Sequence, residues 1–514
     1  MRFTTGLLAT AALGLPALGL AGGKGGKGGH GGQCSKPLVS SKKLQQHIKL
    51  KDLLAGSQKL QDFADANGGN RVFGSGGHNA TVDYIYDTLN SLNYYNVVKQ
   101  PFNEIFFDGD ATISVDGKEL NSTIMTYSPA GTVSAKLVLA TGLGCEASEF
   151  PAEVEGNIAL VSRGTCTFGA KATNAKTAGA AGLIVYNNVE GTLSGTLGDA
   201  FGEYAPVVGV SQADGEALVA AVGAGEVTVD FKVEATVEDR VNFNVIAETK
   251  GGDHNNVLVL GGHSDSVAAG PGVNDDGSGS IGILNVAIAL SKFSVKNAIR
   301  FAWWGAEEYG KLGSYYYIKQ LNTSSTELAK IRAYLNFDMI ASPNYIYGIY
   351  DGNGDAFNLT GPAGSDVIEK DFEDFYDHNR VGHVPTEFSG RSDYAAFIEN
   401  GIPSGGLFTG AEGLKTEAEA KLFGGEVGVA YDVNYHQKGD DINNLAHDAY
   451  LLNTKSIANS VAKYALSFDS LPAVNKAKRG WSEERTKFVK REDGAGHGHY
   501  AHDHVGPCGG GAAI

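Results

Sequence analysis

The chain has 514 residues, 42% hydrophobic and 19% charged, with 58 acidic against 41 basic side chains and a net charge of -17. That length allows two or three domains with well-buried cores. The acidic balance disfavours nucleic acid and anionic membrane surfaces as partners and fits a soluble, secreted protein. At the N-terminus Arg2 precedes an apolar stretch, and Gly19 and Ala21 are the small residues a signal peptidase requires. Residues 1–21 therefore read as a secretory signal peptide. The stretch is short and broken by Pro16, and no other segment approaches ~20 apolar residues, so no stable membrane anchor is expected. Residues 22–34, glycine-rich and of low complexity, are expected to be disordered.

From residue 35 the chain becomes patterned. The run Thr81 to Leu92 predicts a helix. Residues 124–237 are rich in valine, alanine and glycine, with short strand-like runs at 135–141, 157–164, 182–188 and 205–211. A helix-like segment at 169–180 separates two of these runs, and the region reads as a small domain inserted into a larger one. Cys145 and Cys166 lie close enough in sequence for a local disulfide. Cys34 and Cys508 either pair with each other or stay free. Beyond 238 the strand-like runs 257–262, 299–305 and 333–339 alternate with a helix-like 281–293. That rhythm predicts an α/β fold, a mostly parallel central sheet flanked by helices. In such sheets ligands bind at the carboxyl ends of the strands. The tail 471–514 carries Lys478-Arg479, Lys490-Arg491 and four histidines (His497, His499, His502, His504), and reads as disordered. The sequons at Asn79, Asn121, Asn322 and Asn358 are expected glycan sites on surface loops.

The chemistry gathers after the strand ends. His263 follows the run 257–262 directly, and a loop rich in glycine and serine can return Asp275 to the same point. Glu307 and Glu308 follow the apolar run Phe301 to Trp304, Asp338 follows YLNF, and His436 lies in NYHQKGDD. Two histidines and three carboxylates are the count needed to hold two zinc ions close together. Two adjacent glutamates at the exit of a buried strand repel unless a cation lies near; one suits metal, the other proton transfer. Asp265 is placed to accept the second imidazole N–H of His263 and orient the ring.

The phrases GGHSDSV, GVNDDGSG, WWGAEE, LNFDMI and NYHQKGDD resemble the motif series of the secreted and vacuolar co-catalytic zinc aminopeptidases, over about residues 40 to 470. The resemblance implies the zinc exopeptidase fold, with 35–123 and 238–470 forming the peptidase domain. It implies that His263 and Asp338 bind one zinc, Glu308 and His436 the other, and that Asp275 bridges the two. It implies Glu307 as general base and acid, Tyr435 as a hydroxyl donor to the transition state, and Arg391 beside the substrate backbone. The inserted region resembles the protease-associated domain, whose disulfide the Cys145–Cys166 spacing fits. Expected substrates are peptides with a free N-terminus. Met339 and Phe408, with Phe397, are candidates for a first pocket that favours apolar residues such as leucine. A monomer in the extracellular space is expected, with the vacuolar lumen as the alternative compartment. A carboxypeptidase of the same superfamily and a non-catalytic binding protein on this fold are the competing readings.

Overall fold

Runs of valine, isoleucine, leucine and aromatic residues build the centre of the sheet because both of its faces are covered. The computed structural model describes residues 36–321 and 326–473. The signal peptide, Cys34, Cys508, the Asn322 sequon and the histidine-rich tail lie outside the described residues. Three helices come first, α1 (Ser41–Gln45), α2 (Leu50–Asp65) and α3 (Gly76–Ser91). The inserted region follows with β1 (Tyr95–Val115), β2 (Lys118–Leu120), β3 (Ser122–Ile124), β4 (Gly131–Leu139), β5 (Ile158–Ser162), α4 (Phe168–Thr177), β6 (Gly182–Tyr186), β7 (Val207–Val210), α5 (Gln212–Ala224) and β8 (Thr228–Thr249). The C-terminal half contains β9 (Asp253–His263), α6 (Gly277–Leu290), β10 (Asn297–Trp304), α7 (Leu312–Leu321), β11 (Ile331–Phe337), β12 (Gly348–Tyr350), α8 (Ser365–His378), β13 (Val384–Thr386), α9 (Tyr394–Ile398), β14 (Ser404–Phe408), α10 (Glu417–Phe423) and α11 (His447–Tyr464).

The strands run in the order β13-β12-β14-β11-β9-β10-β8-β4-β5-β6-β7-β3. The centre β14, β11, β9 and β10 is parallel, while β12 and β8 pair antiparallel at its flanks. Alternation along each central strand splits its side chains between two cores. Leu258, Leu260, Phe301, Trp303, Leu335 and Phe337 pack on one face, against residues of α2, α3, α6, α8 and α11. Val257, Val259, Ala302, Trp304 and Tyr334 pack on the other, against α7 and α9. The register sets Trp304 opposite His263, Gly261 opposite Asn336 and Phe337 opposite Leu407. The carboxyl ends of four parallel strands therefore finish at one edge, and the residues just past them converge.

Two helices start earlier than the sequence pattern places them. Helix α3 starts at Gly76, where the Ser75 side chain accepts from the His78 N–H. Helix α6 starts at Gly277, where Asp276 accepts from the Gly279 N–H. A side-chain acceptor satisfies an otherwise orphaned donor and moves the start toward it. Asn79 consequently lies in helix α3 with its side-chain oxygen buried, so the surface-loop expectation does not hold there. Asn121 and Asn358 are exposed between regular elements.

The feature absent from the sequence pattern is the ribbon of β1 and β8, paired antiparallel from Tyr95↔Thr249 to Val115↔Val229. Its ends and middle belong to different cores. Tyr95, Val245 and Ala247 pack in the core of the larger unit, and Phe102 and Phe106 pack with Phe73 and Ala306. Ala111, Ile113, Phe231 and Val233 pack against β5, β6 and α5 in the inserted unit. Residue 237 thus falls inside one continuous strand, and the two units share this ribbon. In the inserted unit α4 covers the other side of β5 and β6, and Cys145 and Cys166 form a disulfide. The bridge closes a loop with a sequence separation of 21 residues, whose closure entropy is worth roughly 3 kcal/mol. Replacing both cysteines by serine is expected to lower the unfolding transition of the inserted unit, seen as an earlier calorimetric transition. An unchanged thermogram would show that the bridge adds nothing.

Candidate active site

The converging strand ends deliver the residues in pairs with unusual backbone. His263 closes β9. After β10 the chain turns through Ala306, whose φ is 57°, before Glu307 and Glu308. After β11 come Asp338 and then Met339 at φ 53°. His436 arrives from the loop before α11 at φ 56°. Non-glycine residues in this left-handed region are uncommon, and such conformations cluster at functional sites.

Five predicted donors come together. His263 Nε2 lies 3.2 Å from Asp275 Oδ1 and 3.6 Å from Asp338 Oδ1. His436 Nε2 lies 3.3 Å from Asp275 Oδ2 and 3.0 Å from Glu308 Oε2. Asp275 therefore turns one oxygen to each imidazole, and each imidazole has a second carboxylate of its own. Zinc with ligands at about 2.0–2.2 Å in a tetrahedron needs donor atoms about 3.3–3.6 Å apart. Of the four spacings, 3.3 and 3.6 Å lie in that range, and 3.0 and 3.2 Å fall a little below it. Glu307 Oε2 stands 4.0 Å from His263 Nε2, and Glu307 Oε1 has no hydrogen-bond partner among the described residues. Burial pushes the carboxyls of Glu307 and Glu308 up. Burial would also raise Asp275, but the two imidazoles hold it below the usual carboxylate range.

A second tier of residues holds these donors in place. Asp276 Oδ1 accepts the N–H of Gly279 and of Met339 at 2.9 and 3.0 Å, and Oδ2 accepts that of His263 at 3.0 Å. Asp276 lies close to His263 and Asp338, as a ligand would. Both of its oxygens are occupied by main chain, however, so it braces two strand ends and the first turn of α6 rather than facing the cluster. The approach is close: a Cβ at Gly279 would sit 2.0 Å from the Phe337 carbonyl. Asp440 accepts the N–H of Asn274 at 2.8 Å and of Asp275 at 3.0 Å. Asp265 Oδ1 accepts the Glu307 N–H at 3.1 Å. The same oxygen lies 3.6 Å from His263 Nδ1, which is 3.3 Å from the Asp265 carbonyl. A chain of donors runs from Trp304 Nε1 through Tyr334, Asn336 and Ser392 to Asp338 Oδ2, the last step 2.6 Å. It engages the outer oxygen of Asp338 and leaves the inner one toward His263.

Arg71 and His78 complete this tier. Arg71 is fully buried, and its guanidinium donates to three carbonyls of the loop between His263 and Asp275: Ser264, Pro271 at 2.8 Å and Gly272 at 2.6 Å. The Ser264 hydroxyl donates to the Trp304 carbonyl, so His78 Nε2, 2.9 Å away, is the donor of that pair. No local sequence signal marks Arg71 or His78. Asp276 and Ser392 sit inside the motifs NDDGSG and SGRSDY beside residues that were singled out.

Beside the donors is a small pocket of about 80 Å3, lined by Met339, Tyr350, Tyr394, Phe408, Arg391 and Tyr435 as well as by Asp275, Glu307, Glu308 and Asp338. Phe397 is not part of it. It stacks on Tyr334 at 3.6 Å within the core, because α9 points it inward beneath the sheet edge. Tyr435 stacks on His436 at 3.8 Å, and Arg391 Nη2 donates to its hydroxyl at 3.1 Å.

Residues 244–461 match the model of peptidase family M28, and 133–218 match the PA domain. A probable leucine aminopeptidase 2 of Aspergillus fumigatus is 54% identical over 90% of this chain and 94% of the relative. The chain belongs to peptidase family M28. The leucine aminopeptidase 2 of Arthroderma otae is likewise 54% identical, over 85% of this chain and 88% of its own length. Among solved structures, an aminopeptidase from Aneurinibacillus sp. strain AM-1 shares the fold at a TM-score of 0.56 and 27% identity, covering 83% of this chain and 95% of that one. A zinc aminopeptidase from Bacillus subtilis does so at 0.54 and 26%, covering 83% and 98%. Family M28 membership implies zinc, and the described donor set is compatible with it.

Two outcomes follow for this M28 peptidase. Arg71→Met is expected to cost about 3–5 kcal/mol in chemical denaturation, because it strips three buried carbonyls of their donor. Arg71→Lys, which keeps the charge without the fork, should fall between. Burial holds the His78 imidazole down at about 4, below its ordinary 6.5. Above about pH 6.5 both folded and unfolded chains leave it neutral. As pH falls from 6.5 toward 4 the unfolded chain takes the proton first, and about 3 kcal/mol of stability is lost. His78→Gln should flatten that part of the stability–pH curve, measured against the parent by urea titration.

Proposed function

We propose that this chain removes N-terminal residues, leucine and other apolar ones foremost, from peptides and proteins, with two zinc ions at the site. The enzyme is a metallo-aminopeptidase. One observation carries the two-ion reading: Asp275 offers separate oxygens to His263 and His436, at 3.2 and 3.3 Å. On this reading His263, Asp338 and Asp275 hold one ion, and His436, Glu308 and Asp275 hold the other. Bound there, zinc supplies Lewis acidity, which polarises the scissile carbonyl and makes water a better acid.

The chain's own residues do the rest. Glu307 takes the proton of the attacking water and returns it to the leaving amine. Its N–H is held by Asp265. Tyr435 presents its hydroxyl toward the developing oxyanion, and Arg391 at the mouth stands beside the substrate backbone. The α-ammonium of the substrate sits against Glu307 and Asp338. An internal peptide bond has no ammonium to place there, which restricts cleavage to the end of the chain. Met339 and Phe408 line the pocket for the first side chain, which favours leucine over charged residues.

The same reading places a secretory signal at 1–21, the peptidase domain in 35–123 and 238–470, and the protease-associated domain in 124–237. It sends the enzyme outside the cell or into the vacuole. No described helix is long and apolar enough to cross a membrane.

A panel of aminoacyl p-nitroanilides, with and without chelator, tests the reading. Leucine p-nitroanilide should be cleaved, N-acetyl-leucine p-nitroanilide should not, and zinc should restore the chelated enzyme. Cleavage of N-acylated dipeptides instead would favour a carboxypeptidase. Glu307→Gln is expected to keep its zinc by metal analysis while kcat falls by about 10²–10⁴. A normal kcat would sink the general-base role.

A further inference from the structure

We propose that Glu412 is a positioning residue for hydrolysis, anchoring Arg391 so that its second nitrogen donates into the Tyr435 hydroxyl. The inference rests on the reading of Tyr435 as a donor to the transition state. Arg391 and Tyr435 line the cleft with Asp275, Glu307, Glu308 and Asp338. Glu412 reaches the cleft through Arg391: Arg391 Nη1 donates to Glu412 Oε1 at 2.7 Å, while Nη2 donates to the Tyr435 oxygen at 3.1 Å.

The geometry needs such an anchor. The Arg391 side chain is 50% exposed and has many rotamers in water. With one end of the planar fork held by a carboxylate, the other end has a defined direction. Tyr435 is steadied from its other side by stacking on His436, with ring centroids 3.8 Å apart and planes 24° apart. A phenol has two lone pairs and one hydrogen. A cation that donates into one lone pair directs the hydrogen away from itself and makes it a stronger donor. Glu412 is not among the residues that line the pocket, so its influence should appear in kcat with little change in KM.

The test compares Glu412→Gln, Tyr435→Phe and the double variant on leucine p-nitroanilide, with zinc content measured for each. Removing a donor to a developing oxyanion costs about 10²–10³ in rate, and a loosened one a fraction of that. Tyr435→Phe should therefore lower kcat by about 100-fold and Glu412→Gln by about tenfold, with KM near its original value and zinc retained. The double variant should match Tyr435→Phe, since an anchor has nothing to act on once the hydroxyl is gone. Full kcat in Glu412→Gln beside an impaired Tyr435→Phe overturns the proposal alone. So does a double variant whose losses multiply, or an effect confined to KM. Full kcat in Tyr435→Phe overturns the reading of Tyr435 and the proposal with it.

Discussion

Carboxylates buried together at one end of a sheet repel, and the rest of this structure is arranged around that fact. Asp265, Asp275, Asp276, Glu307, Glu308, Asp338 and Asp440 are all buried within the same region. Like charges removed from water raise one another's proton affinity and the cost of folding unless each is answered by a donor or a cation. What answers each one sorts them. Asp276 and Asp440 are answered by main-chain N–H groups on both oxygens, which makes them braces. Asp275 is answered by an imidazole on each side. Asp338 gives one oxygen to Ser392 and turns the other to His263. Asp275, Glu307, Glu308 and Asp338 line the cleft, where on the proposed reading cations and a substrate ammonium complete the balance.

Arg71 belongs to the same balance. It is the buried guanidinium of this region, and it donates to carbonyls of the loop rather than to any carboxylate. Placed so, it acts twice. Its donors give shape to a loop rich in glycine, which has little preferred conformation of its own. Its charge offsets the acids around it without occupying an oxygen that a cation needs.

How far the sequence could be read follows from where the information lies. The central strands were legible because burial on both faces leaves continuous apolar runs, and the residues just past them were legible because two histidines and several acids recur at those ends. Asp275 and Asp276 are neighbours of one chemical type, and nothing local separates a donor from a brace; only the hydrogen bonds that span β9, α6 and β11 do. Arg71 lies more than 190 positions from the carbonyls it holds. The ribbon of β1 and β8 escaped because its alternation changes partners along its length, serving three cores in turn. Phe397 and Phe408 read alike in sequence, yet one stacks in the core and the other faces the pocket. That distinction is made by helix α9 and strand β14, not by the residues.

Met339 shows how the donor cluster and the wall of the pocket beside it are held by one device. Its φ of 53° is unfavourable for a residue with a side chain, at a cost of order 1–3 kcal/mol. The conformation is held from both sides. The Met339 N–H donates to Asp276 at 3.0 Å, and its carbonyl accepts the Thr409 N–H at 2.9 Å and the Thr409 hydroxyl at 2.5 Å. Asp276 also holds the N–H of His263, so the brace that fixes a predicted zinc ligand fixes the pocket wall as well. A change that relaxed Met339 would be transmitted through one carboxylate to the donor cluster. The pocket wall and the donor cluster are therefore coupled here. The pocket can be reshaped at Phe408, which enters from a separate strand, with less disturbance than at Met339.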